Sequence, residues 1–207
     1  MDTKVVVSEI QDSWETIIEK IKNGTADYAV GQYKPLDLGC QGIVSMQIVA
    51  SGENASKLSD GEGNATYDFI SMEVLLMEHQ MNDFHSIANP WERSSMRAYL
   101  NEMIFKIFPA YIASDIKTVS KLTNGVYTTE RLWIPSYEEV FKDSYSDIYK
   151  DSKSRKKVFP GTSCASNWWL RSANSNNGDG FRGVSNSGSA GYNYANYSFG
   201  VALGFSL

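Results

Sequence analysis

The residues of this chain with the clearest potential for metal or acid–base chemistry are its two histidines, His79 and His85. A helical zinc motif places two histidines four residues apart, so that both reach one face of the helix. The spacing of six does not do this, and an ordinary surface or partly buried role is favoured for both side chains. The sequence therefore predicts neither a catalytic histidine nor a histidine-bound metal.

Oxygen ligands occur together further along the chain, where Asp179 follows Asn174, Asn176 and Asn177. Such oxygens suit calcium, but one carboxylate among amides supplies little charge to hold a divalent ion. Gly178-Asp179-Gly180 resembles the start of a dinucleotide fingerprint, yet no third glycine or helix pattern follows. No nucleophile elbow or phosphate loop occurs. We therefore expect no metal, no cofactor and no catalytic residue.

The segment from Ser172 to Gly200 has the composition of a contact surface, because nearly every residue in it is Asn, Ser, Gly, Tyr or Ala. A flexible linker has no reason to carry three closely spaced tyrosines, since exposed rings promote aggregation unless a partner covers them. In antibody loops, Tyr supplies rigid contact area and small polar residues supply adaptable hydrogen bonds. The predicted ligand-binding residues are Asn174, Ser175, Asn176, Asn177, Asp179, Arg182, Asn186, Ser187, Tyr192, Asn193, Tyr194, Asn196 and Tyr197.

Length, composition and charge limit the class of protein. The 207 residues, 42% of them hydrophobic, can fill the core of a single domain. A net charge of -5 argues against nucleic-acid binding, which needs a clustered basic surface. The one basic run, residues 153–157, has acidic neighbours and predicts a solvated loop.

The chain shows no sign of export or membrane insertion. Its first residues lack the basic start and apolar core of a secretory signal, and no apolar run approaches about 20 residues. We therefore expect a cytoplasmic or virion-associated protein. Cys40 and Cys164 are too few and too far apart for a disulfide framework or a zinc motif, and both are predicted to be buried thiols.

Periodicity and turn residues predict an α+β fold. Asp12-Ser13-Trp14-Glu15 indicates a capping box that begins a short helix, which Asn23-Gly24 ends. The other elements expected in residues 1–130 are a hairpin of segments 28–38 and 43–50, a loop over 51–64, a strand over 66–72 and the longest helix, from Ser94 or Ser95 to Pro109.

A small antiparallel sheet is expected in residues 131–207, which would complete the single domain. The predicted elements are a buried strand over 131–135, a capping box and brief helix over 136–140, a polar excursion over 142–157, and three strands over 168–172, 181–185 and 199–207. Asn186-Ser187-Gly188 would be the turn between the last two strands.

The ordered set of motifs resembles a family of bacterial and phage domains with the C-type-lectin fold. The motifs are a "W..I...I..G" helix from Trp14, a "Y..G..K.LDLG" segment from Tyr28, "LW.PS..E" from Leu132, "WWLRS" from Trp168 and a closing "GVA..F". The fold implied has two main helices, long irregular loops and the small C-terminal sheet. The expected scaffold residues are Trp168, Trp169, Leu170, Phe181, Val184, Phe199, Val201, Leu203 and Phe205.

The chain also resembles the variable proteins of diversity-generating retroelements, which share this fold. In those proteins a reverse transcriptase mutates adenines, so that Asn codons in a C-terminal segment become many other residues. Asn codons mutated in this way cannot yield Lys, Glu, Gln, Met or Trp, and residues 172–200 contain none of these five. A Gly/Asn-rich turn region would also lack them, so the hypervariable reading is favoured but a fixed lectin-like loop stays open.

The resemblance implies a non-enzymatic binding protein that recognises a protein or glycan on a cell surface, with homo-oligomerisation as one route to multivalent display. A first alternative is a structural or accessory phage protein with no variable ligand. A second is an oxidase of the formylglycine-generating type, which needs a copper-binding cysteine pair near the C-terminus. Cys164 is the single cysteine in that region, which disfavours the oxidase.

Overall fold

The computed structural model describes residues 5, 7–83, 90–142, 145, 147–174 and 180–207. Within these ranges the fold is mixed α and β, with few helices and several small antiparallel sheets. The predicted combination of helices with antiparallel strands is therefore confirmed.

Helix α1 (Trp14–Lys22) begins in the predicted segment, but a single Ser13 N-cap stands in place of the predicted Asp12–Glu15 capping box. Ser13 Oγ accepts a hydrogen bond from the Thr16 amide at 3.2 Å, which satisfies one of the free N–H groups of the first turn. Gly24, at φ 65°, takes the left-handed conformation that ends the helix. The helix buries Trp14, Ile17 and Ile18 against the core.

The predicted hairpin is present, but its first strand is shorter than expected. Strand β1 (Tyr33–Asp37) pairs antiparallel with β2 (Ile43–Ser51), while residues 28–32 lie outside the strand. Gly31, at φ 100°, turns the chain just before β1 and accounts for the shorter strand. Strand β3 (Tyr67–Ser71) follows the predicted loop, pairs with β2 and is buried along its whole length.

The predicted long helix follows the short strand β4 (His79–Gln80), but it is wound unevenly. Helix α2 (Ser95–Ala98) continues as a π-helical turn, Tyr99–Ile104, and then as a 3₁₀ turn, Phe105–Ile107. The π turn carries Asn101, whose side chain bonds both backbone groups of Leu132, at 3.2 and 3.3 Å. Pro109 ends the segment as expected and precedes α3 (Ala110–Ala113).

A hairpin that the sequence analysis did not predict comes next. It consists of β5 (Val119–Thr123) and β6 (Val126–Glu130), joined by Asn124-Gly125. Asn124 and Gly125 have φ of 49° and 84°, which is the geometry that favours an Asn-Gly pair in a tight hairpin. The short strand β7 (Leu132–Trp133) and helix α4 (Tyr137–Phe141) then confirm two predicted elements.

The segment predicted as a polar excursion contains buried residues, so that prediction is wrong in part. Tyr145, Ile148 and Tyr149 lie in the core. Lys157, which was expected in a solvated loop, is 4% exposed. It lies in β8 (Lys157–Val158), whose pairing with β9 (Ala165–Ser166) carries the side chain inward.

The C-terminal antiparallel sheet is confirmed, but its third strand was assigned wrongly. The sheet consists of β10 (Trp168–Ala173), β11 (Gly180–Val184) and β12 (Ala190–Tyr194). Because the turn at 186–188 reverses the chain, residues 190–194 lie beside β11 and pair with it. They occupy the position in the sheet that was predicted for residues 199–207. Those last residues divide between β13 (Ser198–Phe199), which pairs with β4, and β14 (Gly204–Ser206).

Strand β14 lies inside the largest sheet, whose order is β1-β2-β3-β14-β7. Phe205 stacks on Phe69 with ring centroids 5.3 Å apart. A Cβ atom on Gly204 would lie 2.6 Å from the Trp133 ring, so only glycine allows this close approach. The scaffold residues predicted from the sequence are buried, except for Phe199, which is partly buried.

Candidate functional site

Three tyrosines project from the end of the C-terminal sheet. Tyr192, Tyr194 and Tyr197, the tyrosine surface, are 58%, 44% and 51% exposed. Tyr192 and Tyr194 share one face of β12 because side chains alternate along a strand. The Tyr197 amide donates to the Tyr194 carbonyl at 3.1 Å, and this turn brings the two ring centroids to 6.2 Å. Tyr194 and Tyr197 are therefore neighbours, Tyr192 lies on the same face of β12 as Tyr194, and all three rings are exposed to solvent.

The tyrosine surface is held in place from below. Ala195, between two of the tyrosines, is fully buried, and its carbonyl accepts hydrogen bonds from the Met81 and Asn82 amides at 2.9 and 3.0 Å. In β10 of the same sheet, Trp168 Nε1 donates to the Arg155 carbonyl at 3.0 Å and Trp169 Nε1 donates to the His79 carbonyl at 2.9 Å. The rings are thus displayed from a segment that the core fixes.

The other predicted ligand-binding residues that the structure describes lie around this surface. Arg182 is the cross-strand partner of Tyr192, and its guanidinium lies 5.1 Å from the centroid of the Tyr137 ring. Asn186 and Ser187 are exposed in the turn after β11, and Asn193 and Asn196 are half-buried near the tyrosines. Of the predicted set, Ser175, Asn176, Asn177 and Asp179 lie outside the described residues.

Asn174 corrects one prediction. It was expected to be displayed, but it is 4% exposed. Its amide donates to the Gly180 carbonyl at 2.9 Å and so continues the pairing of β10 and β11 past their last strand residues. This position therefore belongs to the scaffold and not to the contact surface.

A shallow groove of about 240 Å³ adjoins the tyrosine surface. Two glycines that face each other across β11 and β12, Gly183 and Gly191, leave it open. A Cβ on Gly183 would lie 3.0 Å from the Trp168 carbonyl oxygen, whereas a Cβ on Gly191 would meet nothing within 4 Å. Tyr192, Asn193 and Phe199 form its sides, so the groove extends the same contact area.

A second concavity, the charged pocket, was not predicted from the sequence. It has a volume of about 460 Å³ and lies between the β5–β6 hairpin, the start of α4 and the loop before β3. The residues that line it are Asn54, Ser56, Lys57, Asp68, Ser120, Lys121, Leu122, Asn124, Gly125, Tyr127, Ser136, Glu138, Glu139, Tyr145 and Arg171.

Arg171 and Glu139 form the centre of the pocket floor. The guanidinium Nη1 and Nη2 atoms donate to Oε2 and Oε1 of Glu139 at 2.6 and 2.9 Å. Arg171 also donates to Thr123 Oγ1 at 2.7 Å and to the Ile134 and Leu122 carbonyls at 2.7 and 3.4 Å. Glu139 completes the predicted capping box by accepting from the Ser136 amide at 2.7 Å. Every guanidinium N–H that Arg171 can donate thus has a partner.

Lys121 extends this network towards β3. Its Nζ donates to Tyr145 Oη at 3.0 Å and to Glu139 Oε1 at 3.2 Å, and it lies 3.6 Å from Asp68 Oδ2. The same ammonium sits 3.5 Å from the centroid of the Trp133 ring. Asp68 in turn accepts hydrogen bonds from the Ser56 amide and hydroxyl and from Ser206 Oγ.

The network shifts the pKa values of Glu139 and Tyr145. Burial opposes ionisation of Glu139, but the nearby Arg171 and Lys121 charges outweigh it and hold the pKa of this carboxyl at about 2. Burial raises the pKa of the Tyr145 phenol well above its ordinary value, and the Glu139 and Asp68 carboxylates raise it further. The floor is therefore ionised at Glu139 and neutral at Tyr145 at pH 7.

One sequence signal could have led to this pocket. Arg171 is a charged residue directly after the apolar run Trp168-Trp169-Leu170, and a buried arginine needs a carboxylate partner. The capping-box residue Glu139 was already placed at a predicted helix N-terminus. The remaining members come from three other parts of the chain: Lys121 and Thr123 from the unpredicted β5–β6 hairpin, Asp68 from β3, and Tyr145 from the segment predicted as a polar excursion. No local pattern indicates that these parts meet.

The residues first considered for metal chemistry lie apart from both concavities. The His79 ring stacks on Tyr99 with centroids 4.0 Å apart, and His85 falls outside the described residues. Across the described ranges, no group of three or more His, Cys, Asp and Glu residues could hold a metal ion. Cys40 and Cys164 are exposed, which corrects their prediction as buried thiols: Cys40 lies in a 3₁₀ turn and Cys164 in the loop before β9.

Comparison with known proteins places the chain in a family. None of the described helices is long and apolar enough to cross a membrane. No curated protein and no solved structure matches the chain. The family model described as a domain of unknown function, DUF6273, matches residues 65–207, which is well over half of the sequence, and the chain therefore belongs to that family.

Proposed function

We propose that this protein is a non-enzymatic binding protein that recognises a partner through the tyrosine surface. The observation that carries the proposal is the display of three half-exposed tyrosines on a segment anchored at Ala195. Tyrosine offers a large apolar ring and a hydroxyl at low cost in conformational entropy, which makes it a frequent interface residue. A rigid, exposed cluster of three such rings is suited to a partner that covers them.

The partner we propose is a protein or glycan on a cell surface, and the geometry favours a protein. Strand β12 is the outer strand of its three-stranded sheet as described, so the tyrosines lie along an edge and not in a deep pocket. The adjoining groove, about 240 Å³, is open to solvent and is lined by polar residues such as Asn167 and Asn193 together with Phe199. A protein surface can contact both the edge and the groove at once.

We further propose that the fold is C-type-lectin-like and that the surface is diversified by a retroelement. In support, the exposed predicted positions Asn186, Ser187, Tyr192, Tyr194 and Tyr197 contribute little to the core. Substitution at exposed positions usually changes stability by less than about 0.5 kcal/mol, so such a surface can vary while the protein still folds. Asn174, by contrast, would be held constant because it is buried.

Binding is tested with a triple variant, Tyr192→Ser, Tyr194→Ser and Tyr197→Ser. A matched control replaces Ile43, Met103 and Tyr111 by Ser, since these are 59%, 60% and 43% exposed elsewhere on the molecule. Fluorescently labelled protein is incubated with a panel of bacterial strains, and bound protein is measured by flow cytometry. We expect the tyrosine variant to lose binding while the control and the wild type bind equally. Equal binding by all three proteins would refute the proposal.

Diversification is tested separately at the encoding locus. A nearby reverse-transcriptase gene and an Asn-codon-rich near-copy of the sequence for residues 172–200 are expected. Their absence would remove diversification from the proposal and leave the binding test unaffected.

A further inference from the structure

We propose that the charged pocket is a second binding site, which takes an uncharged polyhydroxyl ring such as one pyranose unit. Its volume of about 460 Å³ lies within the range of small-ligand sites. It is formed by residues outside the tyrosine surface, so the proposal goes beyond the function proposed above.

The pocket floor is saturated by its own contacts. All the donors of Arg171 are used, and Glu139 accepts from Arg171, Lys121 and the Ser136 amide. Asp68 is occupied by Ser56, Tyr145 and Ser206. A ligand ion would have to displace one of these buried pairs, which costs more than an exposed contact returns. The floor therefore shapes the pocket but offers no free charge to an ionic ligand.

The walls, in contrast, carry free polar groups. Across the described residues, the side chains of Asn54, Lys57 and Ser120 make no hydrogen bond, and all three line the pocket. They supply an amide, an ammonium and a hydroxyl. Glu138, at the rim, accepts one hydrogen bond, from Ser172 Oγ at 3.1 Å. A carboxylate accepts more than one hydrogen bond, so Glu138 keeps acceptor capacity.

An aromatic ring completes the rim. Tyr127 is 71% exposed, the largest exposure among the exposed large hydrophobic residues that the structure describes. It lies opposite Leu122 on β5, which is 48% exposed. The hairpin is fixed to the sheet at its turn, because the Asn124 side chain accepts from the Ala173 amide at 2.9 Å and donates to its carbonyl at 3.4 Å. The apolar face of a sugar ring can lie on the phenol ring that this hairpin carries.

The charges that line the pocket balance. The acidic residues are Asp68, Glu138 and Glu139, and the basic residues are Lys57, Lys121 and Arg171. An anion or a cation would be attracted by one half of the lining and repelled by the other. A neutral ligand with many hydroxyls can instead donate to carboxylates and accept from ammonium and amide groups. Charge balance, free mixed donors and acceptors, and an aromatic rim together favour a saccharide.

The test uses the full chain and a panel of neutral methyl pyranosides, with glucuronate, glucosamine and alanine as ionic or zwitterionic probes. Binding is measured by saturation-transfer NMR and calorimetry. We expect one or more neutral pyranosides to bind and the charged probes not to bind. The bound sugar could be a free monosaccharide or the terminal unit of a glycan. Comparing the affinity for the monosaccharide with the affinity for oligosaccharides that end in it distinguishes these sources.

Two variants locate the site. Tyr127→Ala and Asn54→Ala, both exposed and outside the buried network, should each weaken the pyranoside by about fivefold to tenfold. The Tyr192→Ser, Tyr194→Ser, Tyr197→Ser protein should bind the sugar as wild type does, which separates this site from the tyrosine surface. Thermal unfolding confirms that each variant is folded. The proposal is overturned by a panel without any bound neutral sugar, by preferential binding of a charged probe, or by sugar binding that survives both pocket variants.

Discussion

Arg171 and Glu139 form a two-point ion pair in the interior, with N–O distances of 2.6 and 2.9 Å and an arginine that is 1% exposed. The pair joins β10 to the first turn of α4 and so connects the C-terminal sheet to the charged pocket.

The first prediction concerns loss of the carboxylate from the Arg171–Glu139 ion pair. Glu139→Gln should lower the free energy of unfolding by about 3–5 kcal/mol, because it leaves the Arg171 guanidinium buried without a counter-charge. Glu138→Gln is the matched control, since Glu138 is the exposed neighbour, and it should change the free energy by less than about 1 kcal/mol. Urea denaturation followed by fluorescence measures both. Equal effects of the two substitutions would contradict the assigned role of the pair.

The second prediction concerns acid. The folded pKa of Glu139, about 2, lies below its ordinary value of 4.5, so its contribution to stability is complete above pH 4.5. As the pH falls towards 2 the carboxylate is protonated and the contribution is lost. The difference in unfolding free energy between the wild type and Glu139→Gln should therefore shrink over this interval. A difference that stays constant from pH 5 to pH 2 would show that the carboxylate is not stabilised in the folded state.

The third prediction concerns Lys157. Burial lowers the pKa of its ammonium from 10.5 to about 7, although Glu73 acts in the opposite direction. Its Nζ donates to the Ser71 carbonyl and lies 5.1 Å from the Trp168 ring centroid. Between pH 7 and 10.5 the unfolded chain binds a proton that the folded chain does not, so the folded state gains stability as the pH rises.

Lys157→Met removes this dependence. The stability advantage of the variant over the wild type should decrease from pH 7 towards pH 10, by at most about 1.4 kcal/mol per pH unit. Lys156→Met is the control, because Lys156 is exposed, and its effect should not vary over the same range. Parallel urea titrations at three pH values provide the measurement. If both variants show the same pH response, the ammonium of Lys157 is not destabilised by burial.

The fourth prediction separates backbone conformation from close packing. Gly188 has φ 84°, and a Cβ there would lie 1.8 Å from the Ser152 carbonyl oxygen. Gly52 has φ 56° but nothing within 4 Å of such an atom. Gly52→Ala should lower the free energy of unfolding by about 1–2 kcal/mol, because of backbone strain alone. Gly188→Ala should lower it clearly more, because the added methyl group also meets the Ser152 carbonyl. Thermal unfolding ranks the two. If Gly52→Ala is the less stable variant, the backbone at Ser152 can move away from the added methyl group at little cost in free energy.

Local signals in the sequence predicted the elements that depend on local chemistry. Ser13 and Ser136 cap the two helices that their motifs indicate, and the run Trp168-Trp169-Leu170 is buried as expected. In these cases the cause of the structure lies within a few residues. The Asn124-Gly125 pair is also a local signal, because Asn-Gly favours a two-residue hairpin turn, and it is sufficient to indicate the β5–β6 hairpin from the sequence.

Long-range pairing could not be predicted in the same way. Residues 199–207 look like one apolar strand, but their partners, β4 in one case and β3 with β7 in the other, lie far away in sequence. Asn174 looks like its displayed neighbours, and its burial depends on the pairing of β10 with β11. The charged pocket likewise brings together Asp68, Lys121, Glu139 and Arg171 from four separate elements. Each outcome depends on tertiary contacts that no local pattern encodes.

Strand β14 follows the tyrosine surface in the sequence and yet lies between β3 and β7 in the largest sheet. A frameshift or premature stop codon anywhere in the hairpin that bears the tyrosines would delete this strand together with Phe205. The polypeptide would then lack an internal strand of its largest sheet and the buried Phe205 ring, and we expect the fold to be strongly destabilised. Completion of the largest sheet therefore requires that the reading frame be kept through the tyrosine surface and on to β14.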